Sequence, residues 1–297
     1  MISGIVFKAD SAHVAPMRIT KPFKGREPNM TRTTTAILLN LFLPLIAVAH
    51  DTWVESNAAL IRQGDVVFVD LKLGNHGNDH RDFKLASKIT LKPCQLDVIR
   101  PDGKSVDLKS SLNDLGLTPK EGYWSSRFVA TEAGLHVVSH TLDTLHGTTR
   151  GIKSGKAYFL ATPKLDEVSD ARSEFAKPLG HPLELVPLDN PVTELAPLVP
   201  IRVKLLYQSK PLAGARVSFI PRGTTLAEGF DRDHEALTDS EGVASFTPQE
   251  GNVVLVVVHH LVPDQKGDGY DKTQYVATLT VSVPQVSRIG ARKLVSK

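Results

Sequence analysis

The chain has 297 residues, of which 41% are hydrophobic and 23% charged, a composition that suits one large or two ordinary globular domains. Its formal charge of +3 is unevenly placed: residues 1–49 hold Lys8, Arg18, Lys21, Lys24, Arg26 and Arg32 against Asp10 and Glu27, which leaves residues 50–297 at −1. Nucleic-acid binding therefore loses its electrostatic support, and no nucleic-acid partner is expected.

The first recognisable element runs from Met30 to Ala49, MTRTTTAILLNLFLPLIAVA. It has a short basic start at Arg32, an apolar centre over 36–48 and small residues at Ala47 and Ala49, the three parts of a secretory signal peptide. The apolar stretch is short for a bilayer span, and Asn40 and Pro44 weaken it further. Counted from Met30 the leader has an ordinary length. Residues 1–29 then read as an upstream extension and Met30 as the translation start. Cleavage after Ala49 predicts a periplasmic or secreted protein that begins HDTWVE, with His50 as its terminal residue and no membrane span of its own. The competing reading is an uncleaved amphipathic anchor.

Beyond His50 the pattern is short strands and turns. Val67, Val69, Leu71 and Leu73 alternate with Phe68, Asp70 and Lys72, a period-two run. Further strands are predicted at 88–91, 95–100, 124–130, 135–140 and 156–161. A short helix is predicted over 168–177, with Ser169 or Asp170 as its cap. Six prolines between 178 and 200 disfavour helix and sheet interior alike, so PLGHPLELVPLDNPVTELAPLVP reads as an extended connector. More strands are predicted at 201–207, 215–220, 243–247, 252–259 and 274–283. The expected fold is all-β: two β-sandwich domains of immunoglobulin or transthyretin-like type, over 50–165 and 201–284. The helix and Pro-rich connector join them over 166–200, and a polar tail covers 285–297.

Chemistry is sparse. There is no Gly-x-Ser-x-Gly elbow, phosphate-binding Gly-rich loop or His-Glu-x-x-His helix, so no catalytic residues are assigned and the chain is not expected to be an enzyme. Cys94 is the only cysteine, which excludes an intrachain disulfide and a thiolate metal cluster, and it reads as a small buried residue. Trp53 and the Tyr123-Trp124 pair read as sandwich core. Arg150, Lys153 and Lys156 read as a solvated strand edge, or else as an anion site.

The densest polar constellation is LGNHGNDHRDF, where His76 and His80 stand among Asn75, Asn78, Asp79 and Asp82. Gly74 and Gly77 make it a loop on which two imidazoles can converge on one ion. A terminal His50 adds an imidazole with a free α-amine beside it, and His146, in the polar stretch DTLHGTTR, is free to turn toward a site. His50, His76, His80 and His146 are therefore the candidate metal ligands. Nitrogen donors suit a divalent transition metal such as Ni, Co, Cu or Zn rather than Ca or Mg. His136 and His140 share a strand face, and one of them reads as hydrogen-bonded within or beside the core rather than as a ligand. His259 and His260 are adjacent on a strand, so one at most can join any given site. His181 and His234 read as surface residues.

Two resemblances follow from quoted segments. KPLAGARVSFIP and TDSEGVASF, with the hydrophobic strand after Gly251, resemble a carboxypeptidase-regulatory or transthyretin-like sandwich. The His50-Asp51-Thr52-Trp53 start, GHPLELVPLDNP and the second sandwich together resemble an exported family described as nickel-uptake substrate-specific. Some of its members are similar to extracytoplasmic components of energy-coupling-factor nickel and cobalt transporters. The start departs from that family at Thr52, where an aromatic is usual. The resemblance implies metal handling alongside membrane transporter subunits. Two other readings stay open: a metal-free structural or adhesion module of the cell envelope, and a copper histidine-brace oxidase.

Overall fold

In the computed structural model the described residues are 50–76, 81–85, 87–116, 118–165 and 174–286. They form eighteen strands, and all lie in the unit Ile46–Lys297. In chain order these are β1 (Asp51–Ser56), β2 (Leu60–Arg62), β3 (Val66–His76), β4 (Arg81–Leu85), β5 (Cys94–Ile99) and β6 (Ser105–Asp107). Next come β7 (Asn113–Asp114), β8 (Trp124–Val129), β9 (Gly134–His146), β10 (Thr149–Thr162), β11 (Leu183–Pro187) and β12 (Ile201–Tyr207). The last six are β13 (Lys210–Pro211), β14 (Arg216–Pro221), β15 (Glu235–Leu237), β16 (Val243–Phe246), β17 (Asn252–Val262) and β18 (Lys272–Val283). Among the described residues the only helical pieces are the 3-10 turns Lys109–Ser111 and Glu174–Ala176.

A nine-stranded sheet in the order β15-β14-β17-β18-β10-β9-β5-β6, with β2 added beside β10, runs through both halves of the chain. The join is a parallel pairing of β10 with β18, from Thr149 opposite Lys272 to Ala157 opposite Thr280. A five-stranded sheet (β1-β3-β8-β7, with β4 on β3) packs on one face. A four-stranded sheet (β11-β12-β13, with β16 on β12) packs on the other. The fold is thus all-β, of β-sandwich type, and the two sandwiches share their longest sheet.

Alternation along β10 decides which core each side chain joins. Ala157, Phe159 and Ala161 enter the core with Val67, Val69, Leu71, Leu96 and Val98. Tyr158 and Leu160 enter the opposite one with Leu183, Leu205, Phe219, Val256 and Leu279. Strands at the centre of this sheet are covered on both faces, which is why VLVVV of β17 is an unbroken apolar run while β3 alternates.

Three expectations need amendment. Residues 88–91 form no strand. The predicted helix lies mostly outside the described residues, which show a 3-10 turn at its end, Glu174–Ala176. The Pro-rich stretch is not one extended connector: Leu183–Pro187 form β11, paired with β12 from Leu183 opposite Tyr207 to Pro187 opposite Val203, and residues 188–200 run mostly through turns. β11 lies at the edge of its sheet, where Pro182 and Pro187 cost no inner-ladder hydrogen bond.

That edge strand is held by a buried ion pair. Lys156 Nζ lies 2.8 Å from Glu184 Oε1, and both side chains are at most 2% exposed. Glu184 also accepts the backbone N–H groups of Leu179, Gly180 and His181 at 2.6–3.2 Å. Burial alone would raise its carboxyl, but Lys156 and these N–H groups hold it below the usual carboxylate range. Removing one partner strands a buried charge, which typically costs about 3–5 kcal/mol. Glu184→Ala is therefore expected to lower the urea-unfolding free energy by roughly that amount, and Lys156→Met with Glu184→Gln to recover most of it. A double variant as unstable as the single one contradicts this account.

Candidate functional site

β1 follows His50 directly and is buried on both sides. Val54 enters the core beneath the five-stranded sheet, and Trp53 packs with Ile220, Leu255, Val257 and Val276. Register places two rows of the nine-stranded sheet beneath it. One row reads Leu96, His140, Gly155, Thr278 and Val257; the next reads Cys94, Leu142, Lys153, Val276 and His259.

The polar members of those rows meet polar groups of β1. His140 Nδ1 donates to the Gln95 carbonyl at 2.8 Å, which leaves Nε2 to accept the Thr52 hydroxyl at 3.1 Å. Thr278 Oγ1 donates to the Thr52 carbonyl at 2.9 Å. Lys153 Nζ donates to the His50 carbonyl, and His259 Nε2 lies 2.6 Å from Asp51 Oδ1. Gly155 makes the approach possible: a Cβ there would sit 2.9 Å from Thr278 Oγ1 and 3.6 Å from Trp53 Cα. Glu55 closes the far end with Lys72 at 2.8 Å and Arg222 at 2.7 Å, and it accepts Trp53 Nε1 at 2.7 Å.

His50 therefore sits at a fixed place on the rim. Burial holds its imidazole below the usual histidine range; Lys153 and His146 act in the same direction, and Asp51 opposes them. His146, at the end of β9 opposite Thr149, is thus within electrostatic reach of His50. A neutral imidazole is the form that binds metal. Lys153 opposes the addition of a cation there, and the Asp51 carboxylate offsets it.

Of the four predicted ligands, the fold brings His50 and His146 into one neighbourhood. His80 lies outside the described residues, and so does the side chain of His76, whose backbone ends β3 opposite Arg81. Among the described residues no three His, Cys, Asp or Glu side chains are grouped to hold a metal ion. Sequence reasoning missed Asp51, Lys153 and His259 as neighbours of His50. The signal for His259 was present in the alternation of β17, which turns it toward β1 and turns His260 onto Tyr207, 4.6 Å between ring centroids.

Other side chains are spoken for. Lys153 and Lys156 are buried on opposite faces of an inner strand, which rules out both a solvated edge and one anion site; Arg150 pairs with Asp143. Cys94 is buried and its thiol is pushed up to about 11 by burial, the state of an inert core residue. His181 is a surface residue only in part: its Nε2 lies 3.3 Å from Ser139 Oγ and its Nδ1 is buried.

A family profile described as "Domain of unknown function (DUF4198)" matches residues 47–261. The chain belongs to that family. The match takes in β1 and His50, His146 and His259. No curated protein shows significant similarity to the chain. Among solved structures, the D0-D1 domain of intimin is 13% identical with a TM-score of 0.21, over 78% of this chain and 97% of that one. The Yersinia pseudotuberculosis adhesin InvE is also 13% identical, TM-score 0.21, over 79% of this chain and 58% of its own. A Legionella pneumophila DUF4785 protein is 12% identical, TM-score 0.27, over 69% and 51%. Overlaps of this size carry no functional inference.

The buried histidines give the site's supporting layer a pH dependence. His136, stacked on Phe159 at 4.7 Å, and His140 are fully buried, and burial lowers both to about 4. Unfolded histidine titrates near ~6.5, so the unfolded chain binds protons first as pH falls. Stability is complete above the unfolded value and is lost between about 6.5 and 4, roughly 3 kcal/mol per histidine. His136→Phe keeps a ring beside Phe128 and Phe159 and should flatten the pH dependence of the unfolding free energy by about one proton. An unchanged slope contradicts the assignment.

Proposed function

We propose that this is an exported transition-metal-binding protein that uses a processed N-terminal His50, with its α-amine and imidazole, and His146. The observation that carries the reading is the clamping of the first two residues. Lys153 holds the His50 carbonyl and His259 holds the Asp51 carboxylate, and in this reading those contacts would keep a processed terminus within electrostatic reach of His146. Chelation by a terminal residue is weak when that residue is free to move, because binding must then bear its ordering entropy. The signal-peptide pattern over 30–49 and the resemblance to exported nickel-uptake proteins support the same reading. So does the nitrogen character of the donors, which favours Ni, Co or Cu, with Zn acceptable. His76 and His80 remain further candidate ligands. The partners in this reading are the metal ion and membrane transporter subunits that receive it. Among the described residues no helix is long and apolar enough to cross a membrane.

The test compares protein starting at His50 with protein that retains Ala49. Calorimetric titration with Ni(II) and Cu(II) should show affinity weaker by roughly tenfold or more, about 1.4 kcal/mol, in the extended chain. His146→Ala in the processed chain should show a loss of similar direction. Equal affinities in the two chains refute the terminal chelate. No metal binding and no thermal shift with any of these metals would favour the metal-free cell-envelope module.

A further inference from the structure

A second site lies at the opposite end of the molecule's long sheet and is independent of the metal reading. Between the ends of β14, β16 and β17 is a cleft of about 570 Å³, within the ordinary range for small-molecule sites. It opens at the start of β17, seven residues and roughly 23 Å of strand away from His259.

Its lining is biased toward acceptors. Asp233 and Glu250 are exposed carboxylates, and neither has a side-chain partner among the described residues. No lysine or arginine lines the cleft. The Gln249 amide nitrogen donates to the Thr247 carbonyl at 3.2 Å, which leaves its oxygen as the available group. Asn252 is consumed locally: its Nδ2 donates to the Arg222 carbonyl at 3.0 Å and its Oδ1 accepts the Val253 N–H at 2.7 Å. A ligand that fits must therefore donate hydrogen bonds and carry positive charge.

Two aromatic rings, Phe246 and His234, line the cleft. Phe219 and Phe246 stack with centroids 5.4 Å apart and planes at 18°, and the His234 ring follows at 5.8 Å and 31°. His234 ends this three-ring column and lines the cleft, with its Nδ1–H donated to Asp231 Oδ1 at 3.2 Å, so the ring is held in place. A bare metal ion fits poorly, because no three ligating side chains are grouped here. A planar cation with several donors fits better, since it can lie against an aromatic ring and bond to the carboxylates that line the same cleft.

We infer that this cleft binds a guanidinium group, either the arginine side chain of a peptide or a small guanidino compound. The probes are L-arginine amide and acetyl-Gly-Arg-Gly-amide, with the lysine and glutamine counterparts as controls, titrated into the whole processed chain and followed by NMR. Saturable shifts should centre on Asp233, His234 and Glu250, with arginine preferred over lysine and glutamine inert. Asp233→Asn with Glu250→Gln, both on exposed residues and so expected to leave stability unchanged, should weaken binding by roughly tenfold or more. His234→Ala should erase the preference for arginine over lysine. Tighter binding of the tripeptide identifies a peptidyl arginine as the ligand; equal binding of the amide identifies a small compound. Absence of saturable shifts, or affinity unaltered in the double carboxylate variant, overturns the proposal.

Discussion

The structure depends on one strand lying across one sheet. β1 is the edge strand of the five-stranded sheet, yet neither of its faces reaches water, because its other side rests on the nine-stranded sheet over β10 and β18. It is one of the places where the two halves of the chain meet through side chains. Val54 belongs to one core and Trp53 to another. A strand buried on both sides must satisfy every polar group it brings with it. The sheet answers with His140, Lys153, Thr278 and His259, four polar side chains in otherwise apolar rows, and with Gly155, which leaves room for the backbone.

That arrangement explains why the functional reading and the fold cannot be separated. The contacts that seat β1 are the contacts that fix His50. Lys153 and His259 act on residues 50 and 51, at the point where the expected processing site leaves a new terminus. Lys153 also sets the electrostatic character of the spot. Burial and the neighbouring Lys153 hold the His50 imidazole below the usual histidine range, and the Asp51 carboxylate opposes them.

Much of the fold was legible in the sequence, for identifiable reasons. The period-two run of β3 and the strand at 201–207 were read correctly, because alternation reports a half-buried strand directly. The segment 88–91 failed because a short apolar-polar pattern does not distinguish a strand from an irregular buried stretch such as the one around Ile89. The parallel pairing of β10 with β18 joins residues more than a hundred positions apart, and no local pattern announces it. The same limit applied to the site. His50 and His146 were put forward from residue type and position, whereas Lys153 was read as a strand edge because its burial comes from β1 above it. Asp51 and His259 became neighbours only through that tertiary contact. The GNHGNDH stretch read as a loop, but Gly74, Asn75 and His76 belong to β3, and residues 77–80 lie outside the described ones.

The central claim is that export creates the metal-binding group. Its most direct test is the intact mass of the exported protein recovered from its producing cells, measured together with its metal content. The account predicts a chain that starts at His50 and carries about one equivalent of nickel, cobalt, copper or zinc, lost on acidification as the ligands take up protons. A chain that starts elsewhere, or a His50 terminus with no stoichiometric metal, would contradict it.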